Sequence, residues 1–225
     1  MKVLTIPDVH LKPWIFDDAE FILKHFNLDN AVFVGDLVDE WHKENYIDLY
    51  KETIDRAMLF KCMNRDSVFC YGNHEVAYML GDWCSGNSEL YRPMIRTMLN
   101  NYERAVEPVL AVKIDNVVFS HAGLAKSYEA NYSIDNIPNI KLATAFNDND
   151  SPLWVRPDPW TEFNKDYIQV VGHSPVRTIQ QFDNVWVTDT FSTNEDGSIF
   201  GDQTFMSIDT VTSEITKYQN RNIVR

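Results

Sequence analysis

Five polar motifs occur in order along the chain, and each follows directly on a short apolar run of β type. They are Asp8-Val9-His10, Gly35-Asp36-Leu37-Val38-Asp39, Gly72-Asn73-His74-Glu75, Ser120-His121-Ala122-Gly123 and Gly172-His173-Ser174-Pro175. This coupling of run and motif is the strongest constraint on the fold. Runs that are apolar at nearly every position, such as Val3 to Ile6, Ala31 to Val34 and Val117 to Ser120, suit strands covered on both faces, because one wet face would produce alternation. Ser67 to Tyr71, Val109 to Ile114, Tyr167 to Val171, Val185 to Thr188 and Thr204 to Ile208 also read as strands. Asp115-Asn116 between two of these runs predicts a two-residue hairpin turn.

Between the first three runs the period is helical. Phe21, Ile22 and Phe26 follow the acidic start Asp17-Asp18, and Ile47, Tyr50, Ile54, Ala57 and Met58 recur at helical spacing. A third helix is expected after Pro93, with Met94, Met98, Leu99 and Tyr102 on one stripe. These stripes are read as core-facing surface rather than as a cofactor site. Strand-helix alternation early and hairpins late predict a mixed sheet system with helices outside, an α/β fold. At 225 residues and 44% hydrophobic content, a single domain over residues 1–225 with one substantial core is expected. Residues 126–165 crowd Asn, Asp and Pro together and read either as a loop-rich cap over a site or as a solvated connection. Gly81 to Ser88 is a second, shorter loop candidate.

The net charge of -13 argues against extended nucleic-acid binding or attachment to an anionic membrane, since both need clustered Lys and Arg. No run approaches membrane-spanning length, and the amino-terminal run is too short for a secretion signal, so a cytoplasmic location is expected. Cys62, Cys70 and Cys84 form no Cys-x-x-Cys pair and are expected to be reduced, buried thiols. The oligomeric state is left open.

In α/β architectures, side chains at the carboxyl ends of strands converge in a crevice, and every motif stands at such an end. Asp8 and His10, one residue apart in extended chain, point to one face and can chelate one ion. Asp36, after a glycine, can place an oxygen on each of two cations. Asn73, His121 and His173 would complete the second ion's shell. Such a set suits two divalent metal ions that polarise a phosphate ester, and its oxygen and nitrogen donors favour Mn, with Fe or Zn next, over Ca or Mg. Each motif alone arises easily by chance; their joint, ordered occurrence carries the reading. His25 and His42, outside the motifs, are assigned to packing or surface.

The set resembles the calcineurin-like metallophosphoesterases, and within them the branch of Ser/Thr protein phosphatases and diadenosine tetraphosphatases. Gly-Asp-Leu-Val-Asp, Gly-Asn-His-Glu and His121-Ala-Gly carry the branch resemblance, with Thr188-Asp189-Thr190 as a late element. The resemblance implies two mixed β-sheets packed as a sandwich flanked by helices. It also implies Asp8, His10 and Asp36 on the first metal and Asp36, Asn73, His121 and His173 on the second. His74 would protonate the leaving oxygen, oriented by Asp39, and a hydroxide held by the metals would attack phosphorus directly. Two arginines of the phosphatase pattern are replaced here by Glu40 and Tyr71. Arg156 stands where relatives carry a further phosphate-binding arginine, and Asn73 would assist it. Near a phosphate site Glu40 is expected to repel a doubly charged monoester.

The expected activity is phosphoester hydrolysis, first as a phosphomonoesterase acting on a phosphorylated protein or small phosphoester. Hydrolysis of a nucleotide, dinucleoside polyphosphate or diester is the alternative, with Trp41, Tyr71, Trp83 and Trp154 available to stack a base. A non-catalytic scaffold is the remaining reading.

Overall fold

The computed structural model describes residues 1–219. Two five-stranded sheets form its centre. The first runs in the order β10 (Ile215–Gln219), β9 (Thr204–Asp209), β1 (Lys2–Ile6), β2 (Asn30–Phe33) and β3 (Val68–Phe69). The second runs β4 (Ala111–Ile114), β5 (Val117–Ser120), β6 (Ile168–Val171), β8 (Val185–Val187) and β7 (Gln180–Phe182). Both are mixed. β1, β2 and β3 are parallel neighbours, as are β5, β6 and β8, while the flanking strands are antiparallel. Each sheet therefore aims the carboxyl ends of three strands the same way.

The period of two along each strand divides its residues between two cores. Val3, Val32, Val117, Phe119, Val170 and Met206 meet in the layer between the sheets, which makes the pair a sandwich. Leu4, Ile6 and Phe33 face the opposite way, toward the helices. There α1 (Trp14–His25) buries Ile15, Phe16, Ala19, Ile22 and Leu23, and α2 (Ile47–Met63) buries Tyr50, Ile54, Ala57 and Phe60. The Phe16 ring lies 5.7 Å from Phe33 and 5.5 Å from Phe60, so helix and sheet are joined largely by aromatic contact. α4 (Arg92–Val106) packs Ile95, Leu99, Tyr102 and Val106 into the same core.

The hairpin at Asp115-Asn116 forms, with Asp115 at a positive φ of 50°. Several other expectations need correction. Phe21, Phe26 and Met94 are exposed rather than core-facing; the true stripes begin at Ile15 and Ile95, one step round each helix. Phe21 and Phe26 instead flank the exposed His25 ring. Ser67 to Tyr71 pairs as a strand only at Val68–Phe69; Cys70 still donates its N–H to the Phe33 carbonyl at 2.7 Å and forms an isolated bridge to Val109. β7 and β10 were not anticipated: Gln180-Gln181-Phe182 is exposed throughout, and an edge strand needs no apolar run. The helix that opens at the Gly-Asn-His-Glu motif, α3 (Asn73–Leu80), was also missed. Of the cysteines, Cys70 and Cys84 are buried and Cys62 is exposed.

Residues 126–165 carry α5 (Lys126–Glu129), a 3-10 turn (Ile134–Asn139) and α6 (Leu142–Phe146). Tyr128, Ile137, Ala145 and Leu153 from this stretch are buried in the helix-side core. It is thus packed onto the body rather than solvated. No helix among the described residues is long and apolar enough to cross a membrane.

Candidate active site

Because the parallel strands of both sheets end at one rim, their following loops converge there. Asp8 comes after β1, Asp36 after β2, Asn73 and His74 after β3, His121 after β5, His173 after β6 and Asp189 after β8. Most of these loops turn sharply. His10, Asp36, Asp39 and His173 adopt φ of 43°, 55°, 67° and 60°, the left-handed region that side chains occupy at a cost and that clusters at functional sites. Two glycines permit the close approach. A Cβ at Gly72 would overlap Asp36, and one at Gly172 would overlap the Asp8 carboxyl group.

The orientation of the imidazoles follows from their hydrogen bonds. His121 Nδ1 lies 3.0 Å from the Val34 carbonyl and donates to it, so Nε2 carries a lone pair. Facing that lone pair are Asn73 Oδ1 at 2.8 Å, His173 Nδ1 at 3.0 Å and Asp36 Oδ2 at 3.3 Å. The Asn73 amide group donates instead to Cys84 Sγ, which turns its oxygen inward. Four acceptors converge here with room for at most one proton among them. His10 behaves likewise: Nδ1 donates to the Asp39 carbonyl at 2.9 Å, leaving Nε2 3.7 Å from Asp36 Oδ2. Converging lone pairs are repulsive unless a cation lies between them, so the donors fit a metal centre.

The carboxylates support the same fit. Asp8 accepts the His173 N–H at 2.9 Å through Oδ1, but its buried Oδ2 has no partner. Burial and the neighbouring Asp189 and Asp36 charges push Asp8 well above the ordinary carboxyl range. Burial likewise raises Asp36 to about 7 and Asp189 to about 6. Burial, with the Arg156 charge as the next cause at His173 and the His173 charge at His121, holds both imidazoles well below their usual value, hence neutral and able to ligate. Two sets of ligand atoms lie within 4.8 Å of one another, Asp8, His10 and Asp36 in one and Asp36, His121 and His173 in the other. They share Asp36.

Beside this centre stands His74, with Nδ1 2.8 Å from Asp39 Oδ2 and Nε2 3.9 Å from Asp36 Oδ2. Burial opposes its charged form, yet the Asp36 and Asp39 carboxylates outweigh that and lift it to about 9. Asp39 is itself held by Tyr50, Tyr78 and Asn87, which donate at 2.7, 2.8 and 2.6 Å. The sequence offered no signal for these three beyond helical spacing and a loop.

Arg156 and Trp154 line the cavity above the site, which measures about 440 Å³. Among the described residues the Arg156 guanidinium has no hydrogen-bond or ion-pair partner, so it is available to an anion. The Glu40 expectation is corrected here. Its carboxylate is clasped by Lys12 and by the Thr193 hydroxyl, and the Lys12 charge overcomes burial to keep it ionised and compensated. Glu40 thus ties two loops together instead of standing free to repel phosphate. Tyr71 is likewise committed, donating to Glu103 at 2.8 Å, and it does not line the cavity.

No curated protein matches the chain in sequence. Among solved structures it is similar to a cold-active protein-tyrosine phosphatase of a psychrophilic Shewanella species, at 16% identity and TM-score 0.59 over 97% of this chain and 80% of that one. A further structure of a cold-active protein tyrosine phosphatase matches at 18% identity and TM-score 0.53, over 100% and 80%. A metallophosphoesterase from Sphaerobacter thermophilus matches at 13% identity and TM-score 0.48, over 97% and 87%. At such identities the likeness to the two phosphatase structures concerns the fold alone. A family model described as calcineurin-like phosphoesterase matches residues 1–208, and the chain belongs to this family of dinuclear metal-dependent hydrolases of phosphate esters.

Proposed function

We propose that this chain is a phosphomonoesterase of the Ser/Thr protein phosphatase type, acting on a phosphorylated protein or a small phosphoester. The observation that carries the reading is the pair of donor sets sharing Asp36, with His74 at their side. Asp8, His10 and Asp36 would hold one divalent cation and Asp36, Asn73, His121 and His173 the other. The mixed oxygen and imidazole donors favour Mn, with Fe or Zn as alternatives. When bound, the metals supply Lewis acidity that polarises the phosphoryl group and activates water.

The chain's own groups do the rest. Arg156 binds a phosphoryl oxygen and orients the ester, whereas the Asn73 amide nitrogen is committed to Cys84 Sγ and leaves only its oxygen for the cation. His74, held at Nδ1 by Asp39, carries a proton at Nε2 and delivers it to the leaving oxygen. The tyrosines and Asn87 around Asp39 fix that carboxylate so that the imidazole keeps one tautomer. Trp154, whose indole donates to the Phe146 carbonyl at 2.8 Å, covers His173 and helps exclude water; in this role the 126–165 segment acts as a cap.

The second reading, cleavage of a nucleotide or dinucleoside polyphosphate, draws support from Trp41, Trp83 and Trp154, which all line the cavity. One metal-loaded preparation assayed against phosphopeptides, a bis-adenosyl polyphosphate and a bis-aryl diester separates the two. Turnover of the phosphopeptides above the others is expected. His74→Asn should lower kcat by about 10²–10⁴-fold, the usual worth of a general acid, with the metals still bound. Unchanged kcat would remove His74 from its role.

A further inference from the structure

The groups assigned above to the phosphoryl ester, His74 and Arg156, make up only part of the cavity lining, which also includes Trp41, Trp83 and Trp154. Trp41 and Trp83 are 40% and 51% exposed, and both turn surface toward the same space. Aromatic faces open to a polar cavity are available for stacking on a planar group.

Trp83 is also held in place. The Arg92 guanidinium lies over its ring, 5.1 Å from the centroid, and over the Tyr78 ring at 5.6 Å. The loop that carries Trp83 is tied to the reaction centre: Asn87 donates to Asp39 at 2.6 Å, and the Ser88 N–H donates to the Tyr78 hydroxyl at 2.6 Å. Across the cavity, Trp41 gives its backbone N–H to Glu40 at 2.9 Å, and Glu40 is clamped by Lys12 and Thr193. Hydrogen bonds within the chain thus hold both loops in place without a ligand. A ring stacking on them therefore loses little of its binding free energy to ordering the protein.

Charge narrows the class. Among the lining residues Arg156 is the one Arg or Lys, whereas Asp36, Asp39, Glu40 and Asp189 are acidic. Beyond the phosphate, the lining offers aromatic stacking area and no second Arg or Lys. Resting on the phosphoesterase reading above, we propose that Trp83 and Trp41 form a stacking subsite for a planar aromatic group borne on the substrate's phosphate. A nucleobase and a phenolic ring share that chemistry.

The test compares benzylphosphonate with cyclohexylmethylphosphonate, which have the same head group and similar bulk, have no scissile ester bond and differ in planarity. Binding to the metal-loaded full chain is followed by tryptophan fluorescence and by competition against turnover. The planar ligand is expected to bind at least about tenfold tighter, within the worth of stacking one ring on an aromatic side chain. Trp83→Ala should erase most of that preference and Trp83→Phe should keep it, with Trp41→Ala giving a partial loss. Both positions are exposed, and an unchanged thermal midpoint verifies each fold. Equal binding of the two ligands overturns the proposal, as does a preference that persists in both alanine variants. Adenosine 5′-methylenephosphonate and the amide of phosphonomethyl-phenylalanine then tell a nucleobase from a phenol, the one showing Trp83-dependent tightening naming the source. A metal-loaded chain that hydrolyses no phosphoester would sink the phosphoesterase reading itself; an active enzyme indifferent to planarity would sink this proposal alone.

Discussion

At the residue scale the site is built by withholding side chains as much as by supplying them. Gly172 precedes the ligand candidate His173, and a methyl group there would overlap the Asp8 carboxyl group. Gly172→Ala is accordingly expected to displace Asp8 and weaken metal binding at least tenfold, measured by metal titration, while circular dichroism remains native. Gly172 has no positive φ, so contact rather than backbone strain causes the loss. These small residues were legible in the sequence only as part of their motifs. Their reason is spatial, since the atom each would strike lies far away along the chain.

At the element scale, α3 is joined to the loop after β2 by one buried carboxylate. Glu75 accepts the N–H groups of Gly72 at 2.8 Å, Asp36 at 3.2 Å and Val38 at 3.1 Å, and that of Leu37 as well. It aims Asp36 without touching substrate. In Glu75→Gln an amide nitrogen would meet backbone donors, leaving about two N–H groups unsatisfied at ~1–3 kcal/mol each. A thermal midpoint lower by several degrees is expected, together with reduced kcat. On the surface, Arg56 of α2 pairs with Asp17 and Glu20 of α1. Hydrogen bonds from Lys24, then Arg56, hold Glu20 below its usual value against the effect of burial. A lowered carboxyl contributes stability above its unfolded value and loses it as pH falls through the folded one. Glu20→Gln should therefore lower stability by about 0.5 kcal/mol at pH 7, given the partial exposure of the pair. In thermal melts the difference should shrink as pH falls below the ordinary glutamate range.

For the whole molecule, the decisive feature is two sheets that bring the ends of six strands to one rim. Asp8, Asp36 and Asp189 repel one another there, and burial deepens the cost. Cations that bind only the folded chain stabilise it by mass action. Chelation should lower the thermal midpoint of the native protein, and added Mn should restore it. Asp8→Asn keeps an acceptor for the His173 N–H and removes one charge. It is expected to raise the thermal midpoint of the chelated protein, because burial and then the Asp189 and Asp36 charges disfavour a carboxylate there, and to cut the gain from added metal. Calorimetry with and without metal checks both effects.

Local chemistry along the chain was enough to mark the strands, the polar groups at their ends and the mixed α/β class, because fully covered strands and ligand motifs are short-range patterns. Edge strands β7 and β10 escaped, since an exposed edge leaves no apolar signature. So did the Lys12 clasp on Glu40 and the Tyr50, Tyr78 and Asn87 cradle of Asp39. Those partners are ordinary residues, and only the packing of helices and loops onto the sandwich makes neighbours of them. Which groups could carry the chemistry was written in sequence; which charges are compensated, and which rings face the cavity, was decided by tertiary contact.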